Sequence, residues 1–137
     1  MTTPAAVLVV DDEADVRWAL EMTLTRNGFV VATAASGHEA LAWLSRQNFD
    51  VILLDAKLGD VEGVELARKI RAQTPCTAPV ILVSGFFYQD DSTVQTNLNA
   101  GLIAGFVTKP FKHDEILCAI KAAAMSGASA PTGVSHP

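Results

Sequence analysis

Asp11, Asp12 and Glu13 stand together directly after an aliphatic run, and single polar residues close three later runs of the same kind: Asp55, Ser84 and Lys109, the last followed by Pro110. If those runs are neighbouring strands, three or more carboxylates, a hydroxyl and an ammonium converge on one crevice. Carboxylates held about 4 Å apart repel by several kcal/mol at an effective dielectric of roughly 20, so the cluster calls for a cation. One or two carboxylates with retained waters is the coordination Mg²⁺ prefers, particularly where phosphate oxygens complete the octahedron. A carboxylate in that setting can attack phosphorus and form an aspartyl phosphate. Lys109 would then neutralise charge on the carboxylate and the transferred group, while the Ser84 hydroxyl donates to a phosphoryl oxygen. Taken singly, Asp55 reads as a turn residue or helix N-cap and Lys109-Pro110 as a loop. Four separate termini that each supply what one site needs favour the joint reading. Acids after the first run also argue against a phosphate cradle, which needs backbone N–H groups and glycine there.

The elements that must position these residues follow from hydrophobic pattern. Runs at 6–10, 29–33, 51–54, 80–83 and 105–108 are short and rich in Val, Ile and Leu, and each reads as a strand buried on both faces. Helical stripes alternate with them: Val16, Ala19, Leu20 and Leu24; Ala40, Leu41 and Leu44; Leu66, Ala67 and Ile70; Ile116, Ile120 and Ala123. A weaker helix is expected over 91–100, with Val94 and Leu98 as its apolar pair. Ser36 with Glu39 fits a capping box that starts the second helix. Strand and helix thus alternate five times, which predicts parallel pairing, right-handed crossovers and a doubly wound five-stranded α/β sheet. Ligands of such sheets sit at the carboxyl ends of the strands, where the polar residues fall. One domain is expected over residues 1–125, with 126–137 a flexible tail or linker stump of small and polar residues.

Composition narrows the function classes. The 137 residues are half apolar, with 15 acidic against 10 basic side chains and a formal charge of −5, of which Asp11, Asp12 and Asp55 carry three charges. No Lys/Arg cluster offers a surface to nucleic acid or an anionic membrane. Cys76 and Cys118 lack metal-ligand or CxxC spacing and read as thiols of a reducing compartment. No apolar run approaches the roughly 18 residues of a membrane helix, and the expected location is cytoplasmic.

The set Val-Val-Asp11-Asp12-Glu13, Ile-Leu-Leu-Asp55, Val-Ser84-Gly and Phe106-Val-Thr-Lys109-Pro110-Phe111 resembles the receiver domain of two-component response regulators, over roughly residues 7–124. The resemblance implies a flavodoxin-like (CheY-like) (βα)5 fold with strand order 2-1-3-4-5. It implies Asp55 as phosphoacceptor, Mg²⁺ held by Asp12, Asp55 and the backbone carbonyl of Lys57, and Asp11 acting through a bound water. Ser84 and Lys109 would sense the phosphoryl group, and Phe106 matches the aromatic that turns inward on activation. Lacking a hydroxyl, Phe106 would switch through packing alone. The Lys109-Pro110 bond is expected to be cis.

One departure and several partners come with the resemblance. Gly59 stands where the family usually has proline, which predicts a less stiff loop, while Gly63 keeps its expected place. Lys57 and Phe86 flank the phosphoryl site and are expected to tune the lifetime of the acyl phosphate. Phe86-Phe87-Tyr88 is expected to form a partner surface, and Trp18 and Met22 a stripe on the helix that docks kinases in the family. The implied function is a non-enzymatic signalling module. It would take a phosphoryl group from a histidine kinase or phosphotransfer protein. The surface of segment 91–100, the fifth strand and the C-terminal helix would then change its affinity for a downstream protein or output domain, and family analogy admits homodimerisation there. A rival, an aspartate-nucleophile phosphatase, needs a second acid two residues after Asp55, where this chain has Lys57. A third reading is the receiver portion of a longer transcriptional regulator.

Overall fold

Alternation along the aliphatic runs decides what each residue packs against. In β1 (Ala6–Val10), Leu8 and Val10 join one apolar cluster and Val7 and Val9 the other; β3 (Val51–Asp55) divides likewise into Ile52 and Leu54 against Val51 and Leu53. A strand covered on both faces has no polar side, which is why these segments read as continuous hydrophobic runs. The computed structural model describes residues 5–85 and 102–129. Within them β2 (Val30–Ala34), β4 (Val80–Ser84) and β5 (Gly105–Thr108) complete a sheet of order β2-β1-β3-β4-β5, every neighbouring pair parallel. Helices α1 (Ala14–Arg26) and α4 (His113–Ser129) cover one face, and α2 (Gly37–Arg46) and α3 (Gly63–Gln73) the other. This is the expected doubly wound flavodoxin-like fold. Among the described residues no helix is long and apolar enough to cross a membrane.

The differences from expectation have local causes. β2 begins one residue later than expected and exposes Val30, and β5 buries only Val107, because the strand order leaves both at sheet edges with one neighbour each. α1 buries Thr23 beside Leu20 and Leu24, a polar residue that an apolar stripe passes over. α4 continues to Ser129, past the boundary expected at 125, since no proline interrupts that alanine-rich stretch and alanine is the strongest helix former. The Ser36 hydroxyl caps α2 by accepting from the Glu39 amide at 3.1 Å, but Glu39 returns its bond to Ala35, at 2.7 Å, one residue before the cap. Segment 91–100 and the tripeptide Phe86-Phe87-Tyr88 lie outside the described residues.

Candidate metal and phosphoacceptor site

The spacing that places strand residues on one face also gathers the site. Val9, Leu53 and Val107 all pack beneath α1 and α4, so the period of two carries Asp11, Asp55 and Lys109, two residues further on, to that same side of the carboxyl edge. Register completes the alignment: Val10 pairs with Leu54, and the two aspartates follow side by side. Carboxylate oxygens of Asp11, Asp12 and Asp55 consequently lie within 4.8 Å of one another. The Lys109 ammonium enters from β5, donating to Asp11 Oδ2 at 2.9 Å and Glu13 Oε1 at 3.3 Å, with Asp55 Oδ2 at 3.7 Å.

Burial and crowding set the charge states. Asp11 is 2% and Asp55 7% exposed, whereas Asp12 sits at the exposed rim. Desolvation pushes the Asp55 carboxyl up from the ordinary 3.8 to about 6, with Asp11 and Asp12 adding repulsion; the Lys57 amide, donating to Asp55 Oδ1 at 3.2 Å, and the Lys109 charge pull the other way. Burial alone would lower Lys109, but its hydrogen bond to Asp11 and the charges of Asp11 and Asp55 raise it overall, so it stays a cation. Three carboxylates facing one ammonium leave negative charge uncompensated. An oxygen-only donor set of this kind suits a hard divalent ion such as Mg²⁺.

Short backbone devices hold the acids in place. The Glu13 amide donates to Asp11 Oδ1 at 2.9 Å, and the Arg17 guanidinium donates to the Asp11 carbonyl at 2.7 Å, tying the β1–α1 loop to the first turns of α1. After β3 the chain folds into a small hairpin: Lys57 bridges Glu62, the Leu58 amide donates to the Val61 carbonyl, and the Gly63 amide donates to the Ala56 carbonyl at 2.7 Å. A Cβ at Gly63 would lie 2.6 Å from the Asp55 carbonyl oxygen and 2.9 Å from Ala56 Cα, so only glycine lets α3 start this close to the end of β3. Gly63→Ala is expected to destabilise the fold by about 1–3 kcal/mol, as overpacked sites do, measured as a lower urea midpoint.

The other expected site residues fall as follows. β4 ends at Ser84, whose backbone pairs with Thr108, while its side chain and all of Phe86 lie outside what the structure describes. Phe106 is half-buried against the cluster of Ala56, Leu82 and Ile103. The Lys109-Pro110 bond is cis. Cys76 and Cys118 are free thiols, the first buried and the second exposed. Trp18 is 64% exposed, which removes it from the core. Arg17 is a site residue that sequence reasoning did not single out, and the bond from Lys109 gives Glu13, noted there only as part of the acidic run, a definite partner.

A parallel 2-1-3-4-5 sheet with paired acids after β1, an acid closing β3 and a lysine after β5 defines a class, and comparison with known proteins agrees. The chain belongs to the response regulator receiver domain family, whose model matches residues 7–121. It is 36% identical over 122 residues to the probable transcriptional regulatory protein TcrX of Mycobacterium tuberculosis, covering 87% of this chain and 49% of that protein. It is 38% identical over 124 residues to the transcriptional regulatory protein AfsQ1 of Streptomyces coelicolor, covering 90% and 52%. A CheY-like receiver domain protein from Methanospirillum hungatei superposes with a TM-score of 0.82 at 28% identity, covering 93% of this chain and 99% of that one. The chain spans about half the length of the curated relatives it matches.

Proposed function

We propose that this receiver domain takes a phosphoryl group onto Asp55 from a phosphohistidine of a histidine kinase or phosphotransfer protein, with Mg²⁺ held by Asp12, Asp55 and the Lys57 carbonyl, and Asp11 acting through water. The observation that carries this reading is the gathering of three carboxylates within 4.8 Å around Asp55, with the Lys109 ammonium 3.7 Å from it. When bound, the cation neutralises acids and phosphoryl oxygens so that two anions can meet. An Asp55 carboxylate oxygen forms the new bond to phosphorus. The phosphorus–nitrogen bond breaks, and its electron pair stays on the donor's imidazole, which remains neutral if that nitrogen's neighbour keeps its proton. Lys109, held by Asp11 and Glu13, stands ready to follow the phosphoryl charge, and Ser84 on β4 donates to a phosphoryl oxygen. Phe106, packed on Ala56 and Leu82, couples the site to the β4–β5 surface. Lys57 and Phe86 tune how long the acyl phosphate survives. The chain acts as a signalling module rather than an enzyme, and a protein partner or an output domain of a longer regulator reads the change. Incubation with a small acyl phosphate and Mg²⁺ should add a single phosphate by mass spectrometry; a chain that stays unmodified would overturn the reading.

The donor has a surface to meet beside the site. A groove of about 410 Å³ runs between α1 and the segment after β5, lined by Asp15, Val16, Ala19, Lys109, Pro110 and Phe111, and Trp18 stands exposed on the same helix. Exposed aromatics of this kind anchor interfaces. Trp18→Ala should slow transfer from the cognate phosphohistidine about tenfold, a loss of about 1.4 kcal/mol, and leave labelling by the small donor unchanged. Equal losses with both donors would remove Trp18 from the docking surface.

A further inference from the structure

We infer that Asp60 is a positioning residue for the cation site, clamping the hairpin after Asp55 onto the N-terminus of α2 and so holding the Lys57 backbone where the ion needs it. The inference rests on the function proposed above. Asp60 occupies the hairpin tip, five residues after the phosphoacceptor, and its carboxylate reaches across the molecule to accept from the Gly37 amide at 3.0 Å and the His38 amide at 3.1 Å. Ser36 already caps the Glu39 amide, and the Ala40 amide donates to the Ser36 carbonyl. The first amides of α2 are thereby divided between a local cap and a remote one. The two amides, Gly37 first, hold the Asp60 carboxyl below the usual carboxylate range, so the clamp is anionic at neutral pH. Approach is close: a Cβ at Gly37 would lie 2.5 Å from Val61 Cγ1.

The hairpin is thus fixed at both ends. Its base is tied by the Gly63 amide on the Ala56 carbonyl and by the Lys57–Glu62 bridge, and its tip by Asp60 on α2. The tip lacks its own stiffness because Gly59 precedes Asp60. Gly59 does not adopt a left-handed φ, and a Cβ there would meet nothing within 4 Å. Neither a left-handed φ nor a crowded Cβ therefore stands against a proline here, a residue that favours tight turns. Asp60 supplies through a long-range bond the restraint that proline would supply locally.

The test is Mg²⁺ titration by calorimetry on the whole chain, with amide exchange at Lys57 and Gly63. Asp60→Ala should weaken Mg²⁺ binding about tenfold, as loss of groups that orient a metal ligand does, and should speed exchange at both amides. Asp60→Asn, keeping one acceptor oxygen, should fall between. Gly59→Pro placed in Asp60→Ala should recover most of the affinity without restoring the α2 cap. Ser36→Ala, which weakens α2 at its other cap, should leave Mg²⁺ affinity unchanged. Unchanged affinity in Asp60→Ala, or an equal loss in Ser36→Ala, overturns the clamp while the function proposed for Asp55 stands. Absence of Mg²⁺ binding by the unmodified chain overturns both.

Discussion

Asp55→Asn should abolish the single phosphate expected from a small acyl phosphate, and at neutral pH without divalent cation it should make the fold more stable. The first result follows because an amide offers no carboxylate oxygen to attack phosphorus. The second follows from the site's crowding. Burial, with Asp11 and Asp12 behind it, raises the Asp55 carboxyl to about 6 from the ordinary 3.8. Between those values the folded chain binds the proton more tightly than the unfolded chain. This contribution to stability is therefore fully present below about pH 4 and declines as the pH rises through 6. The gap corresponds at most to about 3 kcal/mol, and screening at a site whose rim is open to water brings the effect to about 1–2 kcal/mol. Urea unfolding in a chelator should show Asp55→Asn ahead by that amount at pH 7.5 and level with the unmodified chain near pH 4. Mg²⁺ should stabilise the unmodified chain more than the variant. A phosphate that persists in Asp55→Asn would remove the central claim.

How far such a site can be read before folding depends on how far apart its contacts lie in sequence. The acids and Lys109 were legible because each directly follows an aliphatic run, and a run buried on both faces has few other readings. The three interior strands, β1, β3 and β4, came out within a residue of expectation for the same reason, while β2 and β5, with one neighbour each, proved half-covered. Ser36 capping Glu39 is a contact across three residues and shows in a local motif; Asp60 on Gly37 spans 23 and does not. The role of Lys109 was only partly legible. Sequence reasoning set it against Asp55 and the phosphoryl group, whereas its shortest bond goes to Asp11, with Glu13 next. That preference arises from geometry at the carboxyl edge, which no spacing rule encodes.

The Lys109–Asp11 pair leads to the second large effect. Lys109→Met should destabilise the cation-free chain at pH 7.5 by about 2–3 kcal/mol, below the 3–5 kcal/mol typical for a fully buried pair because water reaches the rim. Asp11, at 2% exposure, would keep its charge with the Glu13 amide as its hydrogen-bond donor among the described residues. The Lys109 side chain is 17% exposed, so water replaces it poorly. Its raised pKa means the pair's contribution is fully present below the ordinary 10.5 and lost only at more alkaline pH. The deficit of Lys109→Met should shrink on addition of Mg²⁺, which would supply the missing positive charge. Such a result would make Lys109 a placeholder for the ion as well as the proposed partner of the phosphoryl group. Asp11→Asn combined with Lys109→Met isolates the cause, since removing both charges leaves none stranded. The double variant should recover most of the stability lost by Lys109→Met alone, measured by urea unfolding in a chelator. A double variant as unstable as the single one would show that the loss comes from packing of the lysine stem and not from the buried charge.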